Sequence, residues 1–384
     1  MVVIIRDREA AGGGIFNYYQ AVGRLLTVGH QLVDVGRSHG FYSVSGSGAQ
    51  RGLPTPFRLL LDWAFLVGRL FRFPDLVVLN PCLDPIEFRS LPRDAVSLLL
   101  AKLFGRKVLV FWRGWDNEVC GSAEFPGGNG CMISRIYRRA DAHLVLAGDF
   151  REDLRRWGFI APIHVETTVV ADSVREQVET TGAKVAGMPF RLLYLSRIEA
   201  AKGVFELLDA YAMLEARQAG RFHLTIAGDG PDLADLKIRA TELGLRMINF
   251  KGYVDGPEKA RCFAEADVFC FLSYTEGMPN AVLEAMAMGL PLVSSDAGGL
   301  KDILEEGVTG YIVAQDRSKA VGERFSPEDV AERIECLAAS EEVCRKIGGH
   351  NREYAREHFA AAKVASRLDA ICREVLGLDS MPKQ

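Results

Sequence analysis

The chain has little charge imbalance, no paired cysteines and no long apolar run, and each shortage excludes something. Its 46 Lys and Arg against 50 Asp and Glu leave a formal charge of −4. No basic field draws it to nucleic acid, so neither DNA nor RNA is an expected partner. The eight cysteines, at 82, 120, 131, 262, 270, 336, 344 and 372, are scattered without a Cys-x-x-Cys spacing, so buried thiols in a reducing compartment are expected. The seven histidines form no His-x-x-x-His pair, and no Asp-x-Asp motif stands at a strand end, so no metal site is expected. No charged-then-apolar leader opens the chain and no run of ~18 apolar residues could span a bilayer, so a cytoplasmic protein is expected. The segment 57–73, FRLLLDWAFLVGRLFRF, complicates that expectation, being apolar with Arg58, Arg69 and Arg72. It suits either a buried core helix or peripheral contact with the inner face of a membrane. The core helix is favoured, because the strand-like PDLVVLN follows it as in an α/β unit.

At 384 residues the chain exceeds what one core usually supports, and two domains of roughly 150–200 residues are expected. From Phe190 onward short apolar runs alternate with helical-period segments. FRLLYLS, FHLTIAG, MINFKGYV, DVFCFLS, PLVSSD and TGYIVA read as strands. VFELLDAYAMLEARQAG, DLADLKIRATELG, EKARCFAEA, PNAVLEAMAMG and LKDILEEG read as helices. The first half repeats the alternation less regularly, with MVVIIRD, QLVDVG, DLVVLN, KVLVFW and AHLVLAG as strands. Strand and helix in strict order build a parallel sheet covered on both faces. The division expected is an N-terminal Rossmann-like domain over 1–170, a polar linker over 171–189, a second Rossmann-like domain over 190–355, and a C-terminal helix over 356–384 that packs back on the first domain. Ser326 and Pro327 make a cap and first-turn pair for the helical stretch that follows. Ligands of such sheets bind beyond the carboxyl ends of the strands, which puts the expected site in a cleft between the two domains.

The stretch YTEGMPNAVLEAMAMG (274–289) holds Glu276 and Glu284 eight residues apart, with Pro279 suited to the first turn of a helix. A helix start directly after a strand offers free amides and partial positive charge, the setting for a phosphate. A carboxylate beside that phosphate is useful only if it faces hydroxyls, where it can accept two hydrogen bonds from a vicinal diol. Glu284 on the ribose, the helix start on a diphosphate and Glu276 on a further sugar would together read a sugar nucleotide. Two surface acids on a solvated helix face would give the same spacing. SRIEAAKG (196–203), following another strand, adds Arg197 and Lys202, two fixed cations for the charge that develops on a departing nucleoside diphosphate.

In their order, LSRIEAAKG, IAGDGP (226–231), FKGYV (250–254), AEADVFCFLS (264–273), EGMPNAVLEAMAMGLPLVSSDAGGLKDIL (276–304) and GVTGYIV (307–313) resemble the retaining GT-B glycosyltransferases of family 4, also called glycosyl transferases group 1, over about 190–360. The first half resembles them more weakly. The resemblance implies an α/β GT-B fold of two Rossmann-like doubly wound domains facing across a cleft. It implies Arg197, Lys202 and Glu276 as catalytic residues, the cations on the donor diphosphate and Glu276 on the transferred sugar, with Glu284 on the ribose. Main-chain groups around Gly277, Met278, Pro279, Asn280, Ala281 and Val282 would line sugar and phosphates, and Gly252 and Tyr253 would lie beside the base. The activity implied is transfer of a hexose-type sugar, with retention and without metal or cofactor, from a UDP- or GDP-linked donor to a hydroxyl on a glycan, a lipid-linked sugar or a small molecule.

Gly12, Gly13 and Gly14 follow the first strand, where glycine lets the backbone approach a ligand. They do not complete a dinucleotide fingerprint, and the resemblance sets the loop with Gly13 and Gly14 against the donor phosphates and the acceptor. At the end of KVLVFW, where the family usually carries a histidine at the sugar, the chain reads RGWD with Arg113. An arginine only donates and stays charged, so either the donor sugar has a group such as a carboxylate there, or Arg113 pairs with Asp116. TTVVADS (167–173) stands where many relatives show an Asn-Gly turn, so Thr167 and Thr168 shape the cleft at most. His143, in an apolar strand, is expected to be a satisfied core histidine. No carboxylate nucleophile is identifiable, which favours departure and attack on one face with the leaving phosphate as base. The rival readings are a sugar-nucleotide 2-epimerase of the same fold and a non-catalytic donor-binding paralogue.

Overall fold

The structure, a computed structural model, describes residues 1–7, 14–35, 55–72, 74–83, 90–115, 121–128, 130–170 and 189–378. The chain divides into two compact units, Met1–Thr167 with Ala362–Gln384, and Thr168–Ala361. The expected linker falls almost wholly outside the described residues, as do Gly12, Gly13 and Asp116.

The first unit is built on a parallel six-stranded sheet. Its strands β1 (Val2–Asp7), β2 (His30–Val35), β3 (Leu76–Leu79), β4 (Lys107–Phe111), β5 (Ala142–Val145) and β6 (Ile163–Val165) run in the order β2-β1-β3-β4-β5-β6. Central strands covered on both faces read as unbroken apolar runs, and β3 and β5 are buried at every position. The strand β6 is absent from the sequence reading. The terminal helix Ala361–Leu376 belongs to this unit and is held by specific polar contacts. Asp369 accepts from Thr27 N and Oγ1, both at 2.6 Å. Arg367 grips the buried Glu166 with Nη2 2.6 Å from Oε1 and Nε 2.8 Å from Oε2.

The second unit carries β7 (Phe190–Leu195), β8 (Phe222–Ala227), β9 (Ile248–Gly252), β10 (Val268–Phe271), β11 (Leu292–Ser294) and β12 (Gly310–Ile312) in the order β12-β11-β10-β7-β8-β9, all parallel. The chain starts in the middle, winds outward to β9, returns to β10 beside β7, and winds outward the other way. Helix Val204–Arg217 covers the sheet with Val204, Leu207, Leu208, Tyr211 and Leu214, a single apolar stripe at helical spacing. Those side chains join Leu192, Leu224, Ile226, Val268 and Val293 in the core, each worth roughly 1.5–3 kcal/mol of burial. Ser326 caps helix Pro327–Ala338, its Oγ accepting from Asp329 N at 3.2 Å with Pro327 at the first position.

Three expectations change. Helix Thr55–Arg72 buries Leu66 and Leu70 but turns Leu60, Phe65 and Phe71 outward, at 59%, 50% and 71% exposure, so it is a core helix on one side only. LKDILEEG is not a helix, because its start is taken up by the 3-10 turn Gly298–Asp302. Of the described cysteines Cys262, Cys270 and Cys372 are buried, whereas Cys336 is exposed.

Candidate functional site

In an open parallel sheet a crevice forms where neighbouring strands lead their connections in opposite directions. In the second unit that point lies between β7 and β10. The loop after β7 carries Arg197 and Lys202, and the loop after β10 carries Glu276 through Pro279, so the sequence-predicted cations and acids come from the two edges of one crevice.

The cation loop is fixed by the turn after β8. Ile198 N donates to Asp229 O at 3.0 Å and Ala200 N to Asp232 Oδ2 at 2.7 Å. Gly228, at φ +147, lies so near that a Cβ there would stand 1.9 Å from Ser196 O. The IAGDGP segment thus acts as the seat of the loop that carries Arg197 and Lys202. Lys202 sits in the 3-10 turn Ala200–Lys202, and its Nζ lies 2.6 Å from Glu276 Oε1, both side chains mostly buried. Arg197 Nη2 lies 2.7 Å from Glu199 Oε1.

The acid loop is tied down at both ends. Tyr274 N donates to Ala201 O at 3.0 Å, and the Tyr274 hydroxyl bonds the buried Glu206 while accepting from Gly322 N at 2.6 Å. Burial raises the Glu206 carboxyl above the ordinary carboxylate range. Behind the loop, Gly299 N donates to Gly277 O at 2.8 Å. Pro279 is the N-cap of helix Asn280–Ala287, with ψ 117°, one position earlier than its expected place in the first turn. The first helical bonds run from Val282 and Leu283 back to Pro279 O, at 3.2 and 3.4 Å. Among the described residues the amides of Asn280 and Ala281 meet no acceptor, and Asn280 Oδ1 is buried without a partner. Met278 is buried and its carbonyl lies 3.4 Å from Thr168 Oγ1. Val282 points its side chain into the core, so a ligand could meet it only through the main chain.

Glu284, in the second turn of that helix, is 8% exposed. Its partner is a residue the sequence reading passed over. Lys259 Nζ, from helix Gly256–Glu265, stands 2.7 Å from Oε1 and 2.5 Å from Oε2. Desolvation pushes the Glu284 pKa up and Lys259 pulls it back. No motif marks Lys259; the pairing follows from how two helices pack. Gly252 ends β9 at φ +71, its carbonyl accepting from Gly228 N at 2.7 Å, and Tyr253 beyond it is exposed.

In the first unit Gly14 opens helix Gly14–Val22 and is exposed. Arg113 lies within that unit's own network. Its Nε donates to Asn80 Oδ1 at 3.0 Å, and its guanidinium lies 3.5 Å from the Phe111 ring centroid and 4.0 Å from that of Tyr18. Asn80 in turn accepts from the Tyr19 hydroxyl at 2.9 Å and donates to Ile5 O at 2.8 Å. Arg113 Nη2 is buried without a hydrogen-bond partner. Thr167 Oγ1 is likewise buried and unpartnered. His143 is half satisfied: Nδ1 accepts from Trp112 Nε1 at 3.3 Å, while Nε2 is buried without a partner. Among the described residues no three His, Cys, Asp or Glu converge to hold a metal.

Residues 182–354 match the family described as glycosyl transferases group 1. Arg197, Lys202, Lys259, Glu276 and Glu284 all fall inside the group 1 segment. The amylovoran biosynthesis glycosyltransferase AmsK of Erwinia amylovora is 34% identical over 140 residues, 35% of this chain and 34% of that protein. Among solved structures, sucrose-phosphate synthase from Thermosynechococcus elongatus aligns with a TM-score of 0.69 and 18% identity, over 98% of this chain and 99% of that one. HepE of Anabaena in complex with UDP and glucose aligns at 0.66 and 14%, over 97% and 99%. At those identities the likeness establishes the fold, which is GT-B. The chain spans between 30% and 61% of the length of eight curated relatives that it matches.

Proposed function

We propose that this protein is a retaining, metal-independent glycosyltransferase of family 4 that moves a hexose-type sugar from a UDP- or GDP-linked donor to a hydroxyl. The observation that carries the reading is the meeting at one sheet crevice of two cations, an open helix start and two carboxylates on either side of it, Glu276 half-buried and Glu284 buried. Lys202 and Arg197 take the diphosphate with the amides of Asn280 and Ala281, Glu276 takes hydroxyls of the transferred sugar, and Glu284 takes the ribose diol. The relatives and structural neighbours, which include a glycosyltransferase and a complex with UDP and glucose, support it.

In the transfer, the bond from the anomeric carbon to the phosphate oxygen breaks and its electron pair leaves with the nucleoside diphosphate. The acceptor oxygen bonds the same face of that carbon, and its proton passes to the departing phosphate oxygen. Lys202 and Arg197 stabilise the charge that appears on the phosphate, and losing one such fixed donor raises the barrier by about 3–4 kcal/mol. Lys202→Ala is therefore expected to lower kcat about a hundredfold or more. Turnover is followed by nucleoside diphosphate release across a panel of UDP and GDP sugars in EDTA, with the anomeric configuration read by NMR. Wild-type turnover in Lys202→Ala, or inversion at the anomeric carbon, refutes the assignment.

A lipid-linked acceptor is favoured by one surface. Leu60, Phe65 and Phe71 face outward, with the Arg69 guanidinium 4.8 Å from the Phe65 centroid and Arg106 donating to Leu70 O at 2.9 Å. An apolar strip flanked by cations suits an anionic bilayer surface. Co-sedimentation with anionic vesicles, abolished by Phe65→Asp with Phe71→Asp, tests it; equal sedimentation of that variant rejects it.

A further inference from the structure

We infer that Lys259 is the positioning residue for the donor ribose, its ammonium fixing the plane of the Glu284 carboxylate so that the free oxygen lone pairs face a vicinal diol. The inference rests on the proposed function and adds to it a residue that neither the motifs nor the family resemblance pointed to.

The geometry is specific. Lys259 and Glu284 stand on helices that follow different strands, β9 and β10, with β8 and β7 between them in the sheet. The helix Gly256–Glu265 begins just past Gly252 and Tyr253, and Lys259 lies in its first turn. Its Nζ donates to Oε1 at 2.7 Å and lies 2.5 Å from Oε2, which is buried without a hydrogen-bond partner. A carboxylate has about four lone-pair sites and an ammonium that donates to one oxygen leaves the others open. Those sites remain for two hydroxyl donors.

A buried acid without a cation takes up a proton, and a protonated acid no longer accepts from both hydroxyls of a diol. For Glu284, 8% exposed, Lys259 is the counterion at hand. A neutral or rotated Glu284 would lose the ribose while leaving the diphosphate contacts, which lie at the helix start and the β7 loop, unchanged.

That separation supplies the test. Calorimetric titration is done on the full chain with three probes: UDP or GDP, whichever the wild type binds; its 2′-deoxy analogue; and inorganic pyrophosphate. Lys259→Met is expected to weaken the nucleoside diphosphate about tenfold or more, to shrink the preference over the 2′-deoxy analogue, and to leave pyrophosphate unchanged. Lys259→Arg restores most of the affinity, and adding Lys259→Met to Glu284→Gln causes no further loss. Should Lys259→Met not fold, Lys259→Gln carries the same comparison. Equal loss for pyrophosphate and nucleotide overturns the inference, because it marks a residue that only ties two helices together. If Glu284→Gln weakens the nucleotide and Lys259→Met does not, Lys259 alone loses its role. If neither does, the ribose assignment of Glu284 falls with it.

Discussion

Replacing Gly298 by Ala isolates the position of Glu276 without touching any charged group. Gly298 has φ +55, and a Cβ built on it would stand 1.8 Å from Glu276 O. Real Cβ contacts essentially never fall below 3.0 Å, so one of the two loops must yield by about 1.2 Å. The hydrogen bond from Gly299 N to Gly277 O, 2.8 Å, joins the same two loops and resists that shift. On the proposed function, a displacement of about 1 Å at the group that holds the sugar can lower turnover about a hundredfold, so kcat should fall by that order. The left-handed backbone adds about 1–2 kcal/mol of strain, which for a unit of this size lowers Tm by roughly 2–4 °C per kcal/mol. Gly307→Ala separates the two effects, because Gly307 has φ +74 but nothing within 4 Å of its would-be Cβ. It should reproduce the strain and leave kcat alone. Turnover is followed by nucleoside diphosphate release and stability by circular dichroism. Equal kcat in Gly298→Ala and Gly307→Ala would falsify the claim that this contact sets the place of Glu276.

The four tryptophans, at 63, 112, 115 and 157, all lie in the first unit, so their fluorescence reports its unfolding alone. Arg367→Met removes the cation from Glu166, whose side chain is 2% exposed, and leaves it the Thr167 amide, 2.8 Å from Oε1. Removing one partner of a buried pair destabilises by about 3–5 kcal/mol, and the partial exposure of Arg367 puts the expectation at the lower end; an unchanged urea midpoint rejects that view of the terminal helix. His143 is held neutral, its pKa lowered to about 3 by burial. The unfolded chain takes up this proton below about pH 6.5 and the folded chain does not, so His143 withdraws about 1.4 kcal/mol of stability per pH unit as pH falls from 6.5 towards 3. Urea midpoints at pH 7 and pH 5 should therefore differ less in His143→Gln than in the wild type, and equal differences would show that His143 is protonated in the fold.

The second sheet was legible because its strands are apolar runs bounded by Gly, Pro and Asp, whereas the crevice between β7 and β10 needed the strand order, which only the fold supplies. The three-residue strand β6 carries only Ile163 and Val165 as apolar signal, too little to separate from a loop. LKDILEEG has helical spacing, but Gly298 and Gly299 bind its start to the Glu276 loop, and that tertiary contact overrides local preference. The outer face of Thr55–Arg72 stayed hidden for a different reason: a segment apolar around most of its circumference does not say which side is covered. Arg113 posed a choice between a ligand and Asp116, and its described partner is Asn80, which nothing near it in sequence marks. Lys259 was missed because its value lies in meeting a residue from another helix.

The structure also bears on why acids should stand beside a phosphate site. Lys202 with Glu276, Arg197 with Glu199 and Lys259 with Glu284 are three cation–carboxylate pairs, so these six side chains carry no net charge before any ligand enters. On the proposed function, a diphosphate takes Lys202 from Glu276 and exchanges one ion pair for another, which gains little by itself. The freed carboxylate must then find donors, and the hydroxyls of the transferred sugar are those donors. Binding of the sugar and binding of the diphosphate are thus coupled through Lys202. Glu276→Gln removes the competitor for that lysine, so inorganic pyrophosphate should bind it more tightly than it binds the wild type, by about fivefold for a partly buried pair worth ~1 kcal/mol. Sugar transfer by the same variant should be lost. A variant that binds pyrophosphate no better than the wild type would mean that Lys202 and Glu276 stay paired in the complex, and that the acid acts on the sugar from within the ion pair.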